Sequence, residues 1–219
     1  MAAHLTREDL TGRECTVLNR GRWGNADVYL FARGEQKWVV KDFTPCPPLI
    51  RESWGRLLVR REYGALCRLQ GISGIPEALG MIDARAFCYE YIPGRNLRKL
   101  PSEKLDAGFF HALEALINQM HQRSVVHLDL RNRRNILMTE TGSPALLDFQ
   151  SSLNLKHVPR RFHRLLKEID ISGVYKIWAR KQPESMDAQR RDRLAAMNRK
   201  RGLWVLRGYP LGLRRPPRH

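Results

Sequence analysis

His127-Leu128-Asp129-Leu130-Arg131-Asn132-Arg133-Arg134-Asn135-Ile136-Leu137 is the stretch on which the reading of this chain turns. Asp148-Phe149-Gln150 follows it eleven residues later. Apolar segments bracket the polar loop, Val125-Val126 before it and Ile136-Leu137-Met138 after it. An aspartate and an asparagine on one short loop, with a second aspartate closing the next apolar run, are oxygen donors suited to Mg²⁺. Magnesium on a nucleotide is held by one or two carboxylates plus the phosphates, not by a cage built of protein alone. The loop therefore offers oxygen donors of the kind a magnesium ion takes.

Working outward, 219 residues and 25.5 kDa suffice to bury a core, as one two-lobed unit or two very small domains. A hydrophobic content of 42% with five Trp excludes a disordered chain. No apolar run approaches the length of a membrane span. The start, Met1-Ala2-Ala3-His4-Leu5-Thr6-Arg7-Glu8-Asp9, is acidic and lacks the apolar core of a signal peptide. Cys15, Cys46, Cys67 and Cys88 are too dispersed for a C-x-x-C site and read as reduced thiols, so a cytoplasmic protein is expected. The net charge of +17 and pI near 10.5 favour an anionic partner: RNA, phosphorylated glycolipid or the inner face of a membrane, where the protein would sit peripherally. From Arg180 onward there are twelve Lys/Arg against three Asp/Glu, so much of the excess lies late. Solvated helix faces that serve solubility would produce the same composition.

Residues 1–13 read as a lead-in, with a short helix after Thr6. Over 14–92 the pattern is mainly β, with strands at 15–18, 27–31, 37–41, 78–82 and 86–91 and one helix over 51–70. The turn Ile92-Pro93-Gly94-Arg95 ends this half. The half over 93–200 is helical. Pro101-Ser102-Glu103 reads as a helix start with Ser102 as its cap. Phe109, Leu113, Leu116, Ile117 and Met120 recur at helical spacing. Further helices are expected over 159–178 and 186–200, then a loose basic tail over 201–219. The fold class expected is α+β: a five-stranded antiparallel lobe with one helix, then a shortened, mostly helical lobe.

His127-x-Asp129, Asn135-Ile136-Leu137 and Asp148-Phe149 resemble the phosphate-transfer loop of the protein-kinase superfamily, whose other parts also occur in order. The resemblance implies a two-lobed kinase-like fold with ATP and Mg²⁺ as cofactors. It makes Lys41, at the end of Val39-Val40-Lys41, the ammonium on the nucleotide phosphates, although a solvated strand-end lysine fits that position alone. Glu62, twenty-one residues on, would fix its side chain; Glu52 lies too close in sequence. Asn19-Arg20-Gly21-Arg22-Trp23-Gly24-Asn25-Ala26-Asp27-Val28-Tyr29 would cover the phosphates, with Gly21, Gly24 and Val28 as contacts, in a degraded form of the glycine pattern. Glu90 and Ile92, in Glu90-Tyr91-Ile92-Pro93-Gly94, would offer backbone to an adenine edge. Asp129 would take the acceptor's proton, Arg131 would neutralise the transferred group, and Asn135 and Asp148 would hold metal. His127 would pack beneath the loop, and Asp170 resembles the helix aspartate that braces it.

Four departures qualify the resemblance. Asn135 stands six residues after Asp129 where the superfamily has five, so the loop bulges, or Asn132 serves instead, or the metal site is altered. Arg131 replaces the usual Lys, Gln150 replaces a Gly, and no Ala-Pro-Glu follows. The chain thus resembles short atypical forms: RIO-type kinases, through Asn25-Ala26-Asp27-Val28-Tyr29, and the lipopolysaccharide-core (Kdo/heptose) kinases. Those families imply transfer of the ATP γ-phosphate to a core sugar or to protein Ser/Thr. A pseudokinase, or a basic nucleotide- or RNA-binding scaffold without transfer, is the alternative. The kinase reading predicts that Asp148→Ala and Lys41→Met each abolish turnover without unfolding the protein.

Overall fold

Alternation along one strand sets the plan of the first half. In the computed structural model, which describes residues 6–8, 15–21 and 24–202, five antiparallel strands pair in the order β1-β2-β3-β5-β4. They are β1 (Cys15–Asn19), β2 (Asp27–Arg33), β3 (Gln36–Asp42), β4 (Ala78–Asp83) and β5 (Ala86–Glu90). On the central β3, Trp38 and Val40 join Phe31 and Cys88 in a small cluster on one face. Val39 faces the other way, into the main core with Phe43, Phe87 and Tyr89. The two-residue period of a strand puts Lys41 on that same inward face, where a cation needs partners.

The expected helix over 51–70 begins earlier and is not uniform. It starts as a single turn α1 (Pro48–Ile50), widens through a π-turn (Arg51–Gly55) and continues as α2 (Arg56–Leu69). Pro48 occupies the first turn, where its missing N–H removes no helical bond. The buried stripe of α2 is Leu58, Val59, Glu62, Ala65, Leu66 and Leu69, so a carboxylate sits at a core position of an otherwise apolar face.

The second half contains β6 (Gly94–Asn96), α3 (Ala107–Gln122), β7 (Val125–Val126), β8 (Ile136–Thr139), β9 (Pro144–Leu146), β10 (Leu153–Asn154), α4 (Arg160–Lys181) and α5 (Ala188–Gly202). The helix start expected at Ser102 is not the α-helix: Ser102–Lys104 makes one 3₁₀ turn. Leu105 is then buried in extended conformation, which stops the turn from propagating. α3 is capped instead by Asp106, whose carboxylate accepts the Phe109 N–H at 2.7 Å. The segments flanking the polar loop are short strands: β8 pairs with β6 and β9, and β7 pairs with β10. Phe110 stacks on Trp178 at 5.0 Å and ties α3 to α4. The observed architecture is the α+β plan expected, five antiparallel strands and a helix followed by a mostly helical half. The loose tail over 203–219 and most of the lead-in lie outside the described residues. All four cysteines are free. No described helix is long and apolar enough to cross a membrane.

Candidate active site

Lys41 Nζ donates to both oxygens of Glu62, at 2.8 and 2.7 Å, and to Asp148 Oδ1 at 2.7 Å. Burial works against its charge, but Asp148 and Glu62 outweigh burial and hold the ammonium above its ordinary value. Burial pushes the Glu62 carboxyl up to about 7 against the pull of Lys41. Two short contacts from one ammonium to both oxygens are nevertheless the geometry of an ionised pair, and the Phe149 backbone N–H donates to the same carboxylate. Lys41 holds Asp148 below the usual carboxylate range. Asp148 also accepts the Gln150 backbone N–H, but it differs from Glu62 in keeping 43% of its side chain exposed, so its carboxylate is accessible to a ligand. Glu52 is engaged elsewhere, on the surface with Arg51, Arg56 and Arg85.

The polar loop that begins at His127 is held from below by Asp170 on α4. One oxygen of Asp170 accepts the His127 N–H at 2.8 Å and the other the Leu128 N–H at 2.7 Å, while His121 Nε2 lies 3.0 Å away. This support matters because Leu128 has φ +66°, a left-handed conformation that side chains other than glycine adopt at a cost. His127 is wholly buried. Its Nδ1 accepts the Asp129 N–H at 3.3 Å, so Nε2 carries the proton and donates to the Leu147 carbonyl at 3.0 Å. The imidazole also packs on Phe149, with ring centroids 4.8 Å apart. It thereby joins the Asp129 loop to the Asp148 segment.

Two successive tight turns accommodate the six-residue spacing between Asp129 and Asn135. Asn132 N–H donates to the Asp129 carbonyl at 3.3 Å, and Asn135 N–H to the Asn132 carbonyl at 2.9 Å. The chain is thus brought back so that Asn135 Nδ2 donates to Asp129 Oδ2 at 3.0 Å and to its carbonyl at 3.1 Å. Asn135 is buried and its Oδ1 accepts no bond among the described residues. Asn132 is exposed, and its Oδ1 is taken by the Arg134 N–H at 3.3 Å. Burial raises the Asp129 carboxyl above its ordinary value, while Asn132 and Asn135 draw it back down.

Val28 lies directly opposite Lys41 across the β2–β3 ladder, on the same face of the sheet. Gly21 is required where it stands: a Cβ there would sit 1.9 Å from the Asn25 carbonyl oxygen. Its N–H is engaged by Asp27 Oδ1 at 2.7 Å, so the turn is closed on itself by a carboxylate. Gly24 has φ +91° and packs against Ile50. Glu90 ends β5 with its N–H on the Glu77 carbonyl at 2.9 Å, and the Ile92 N–H has no bond among the described residues. Arg131 is not drawn to the acids of the cleft; its Nη2 donates to Ser172 Oγ on α4 at 3.2 Å. Two contributors had no signal in the local pattern. Asp27 clamps the glycine turn, and Tyr89 lies beside the Lys41–Glu62–Asp148 group, where burial, with help from the two acids, raises its phenol.

Among the described residues no three His, Cys, Asp or Glu groups gather as a metal cage. The donors present are one half-exposed carboxylate, Asp148, and the amide oxygen of Asn135. Hard oxygen ligands of that number suit a magnesium ion that takes its remaining ligands from phosphates and water.

A family model described as the RIO domain matches residues 50–191. Among solved structures, the chain is similar to the Rio2 kinase from Chaetomium thermophilum, with TM-score 0.58 and 15% identity, over 86% of this chain and 73% of that one. It is also similar to the Rio2 kinase-ADP/Mg²⁺-phosphoaspartate complex from the same organism, with TM-score 0.56 and 16% identity, over 86% and 71%. No curated protein matches the chain.

Proposed function

This chain belongs to the RIO domain family, and from that premise we propose that it is an ATP- and Mg²⁺-dependent phosphotransferase acting on a hydroxyl acceptor. The observation that carries the reading is the shared ammonium: Lys41 bridges a buried acid on α2 and a half-exposed acid 107 residues further on. A solvated strand-end lysine would have no reason to be buried between two carboxylates.

In this reading Lys41, fixed by Glu62, binds the nucleotide phosphates, and Val28, Glu90 and Ile92 line the base slot. The turn at Gly21 and Gly24 covers the phosphates. Asp148 and Asn135 would hold Mg²⁺, which when bound neutralises charge on the phosphates. Asn135 is preferred to Asn132 because its amide oxygen is the free one. Asp129, held by Asn135 and backed by His127, orients the acceptor hydroxyl and accepts its proton. Arg131 stands on the acceptor side. Of the two kinds of short kinase the sequence resembles, the family match supports the RIO type. Protein Ser/Thr and a core sugar both remain acceptor classes within the proposal.

The test is release of labelled phosphate from ATP with Mg²⁺. Asp148→Asn is expected to lower turnover by at least about a hundredfold, the scale on which groups that stabilise developing charge act. Unaltered turnover in that variant would overturn the reading and leave a nucleotide-binding scaffold. A second reading is favoured by the related complex with ADP, Mg²⁺ and phosphoaspartate: the phosphoryl group could rest on a carboxylate of this chain. Label retained on the protein and released by hydroxylamine would distinguish it.

A further inference from the structure

Beside the loop that carries Asp129, a concavity of about 350 Å³ is ringed by Arg131, Arg133, Lys176, Arg180 and Lys181. Two cations come from the loop and three from α4, where positions 173, 176, 177, 180 and 181 share one helical face. The two sets meet because residue 173 is glycine. A Cβ there would lie 3.1 Å from the Leu130 carbonyl carbon and 3.2 Å from the Arg131 nitrogen, so α4 rests directly on the loop backbone.

Among the described residues no acidic side chain lines the concavity. Arg131 bonds only the Ser172 hydroxyl among the described residues, and Lys181 donates to the Leu100 carbonyl at 2.7 Å. Arg133, Lys176 and Arg180 have no partner among the described residues. Some cations elsewhere in the same half are paired, Arg190 with Glu114 and Asp187, and Arg164 with Glu168. A larger concavity between α4 and α5, about 740 Å³, contains Glu168 among its cations and is partly neutralised. Like charges gathered without a counter-charge repel, and they create a field that an anion would relieve.

The form of the site decides among anions. A groove for single-stranded nucleic acid tracks a backbone and offers aromatic rings for stacking. This pocket is compact and has no aromatic lining among the described residues. Its guanidinium groups are forked donors that match phosphate oxygens. We propose that the pocket binds phosphoryl groups already present on the acceptor, so that the substrate is a compact, phosphate-bearing molecule, either a free phosphorylated polyol or a phosphorylated lipid headgroup. As an acceptor subsite it rests on the phosphotransfer reading of Asp129; as an anion site it stands on the cations alone.

The experiment compares the full chain with the Lys176→Glu/Arg180→Glu variant, a change at two solvent-facing cations checked by thermal melting. With ADP and Mg²⁺ saturating, each is titrated with inositol hexakisphosphate, with phosphatidylcholine vesicles containing phosphatidic acid, and with a single-stranded RNA dodecamer. The expected result is binding of the inositol phosphate or the vesicles by the native chain, weakened at least about tenfold in the variant. ADP affinity should be unchanged. Preference between those two probes identifies the source of the phosphate. Binding that is absent in the native chain, or equal in the two proteins, overturns the proposal. So does a loss confined to the RNA, which would mark a nucleic-acid surface. Failure of the native chain to bind ADP or ATP, with the anion result intact, would refute the phosphotransfer reading alone.

Discussion

Lys41 is the cation on which two carboxylates depend, and its replacement should act on stability as well as on chemistry. Glu62 is 1% exposed, and Lys41 is the cation it contacts. Removing one member of a buried ion pair costs on the order of 3–5 kcal/mol, a large share of the roughly 5–15 kcal/mol that holds a domain folded. Lys41→Met is therefore expected to lower the urea midpoint substantially, and Lys41→Met/Glu62→Met to recover much of the loss. This revises the expectation, drawn from sequence, that Lys41→Met would silence the protein without unfolding it. At Asp129 the prediction concerns pH. Burial raises its carboxyl, and only the ionised form can accept a proton, so turnover should fall as pH drops through a value above the ordinary one for aspartate. Asn135 pulls that value down, so Asn135→Ala should move the acid limb of kcat/KM toward higher pH. A limb that stays in place would argue that another group sets it.

At the scale of elements, the loop and α4 behave as one unit. Asp170 holds the backbone at residues 127 and 128, and Gly173, one turn later, lets the helix touch residues 130 and 131. Gly173→Val adds two methyls beyond the Cβ where even the Cβ is tight against backbone, so the loop must shift rather than a flexible side chain. Relief of glycine's helix penalty offsets little of the strain, because that penalty, about 0.5–1 kcal/mol relative to alanine, is smaller relative to a β-branched valine. The expected outcome is a thermal midpoint that changes by a few degrees and a turnover lowered about tenfold or more, since small misplacement of reacting groups costs rate steeply. Normal turnover in that variant would show that the loop does not depend on α4 for its position. The tight turns at 129–132 and 132–135 belong to this scale as well. The spacing of six residues was legible as a departure from the superfamily. Its resolution was not, because hydrogen bonds between turns depend on where the flanking strands β7 and β8 are anchored.

Over the whole molecule, the basic excess divides into structural and unpaired charge. Arg190 on α5 reaches Glu114 on α3 with Nη2 at 2.6 Å and lies 5.5 Å from the centre of the Trp178 ring on α4. Tyr175 donates to the same Glu114, which leaves that carboxylate mostly buried. Arg190→Ala should destabilise the protein by about 1–3 kcal/mol, because the carboxylate loses a charged donor where water cannot fully replace it. Thermal melting checks this, and hydrogen exchange should rise first in α5. An unchanged midpoint would return Arg190 to the class of solvated surface charges.

What the sequence determined by itself was local: the period of each element, their order, the α+β class, and the donor types at 41, 62, 129, 135 and 148. Those follow from alternation, helical spacing and turn chemistry within a few residues, although helical spacing alone does not separate exposed Trp54 and Leu57 from the buried α2 stripe that contains Glu62. Tertiary structure alone decided the selection among equivalents. It buried Glu62 against Lys41 and left Glu52 with surface arginines, turned Asn135 rather than Asn132 toward Asp129, and drew Arg131 away from the cleft onto α4. It also gathered Arg133, Lys176 and Arg180 into one pocket. The physical reason is distance along the chain. Lys41 and Asp148 are 107 residues apart, and their meeting depends on how α2, β3 and the loop pack together, a sum of many weak contacts that no short window of residues encodes.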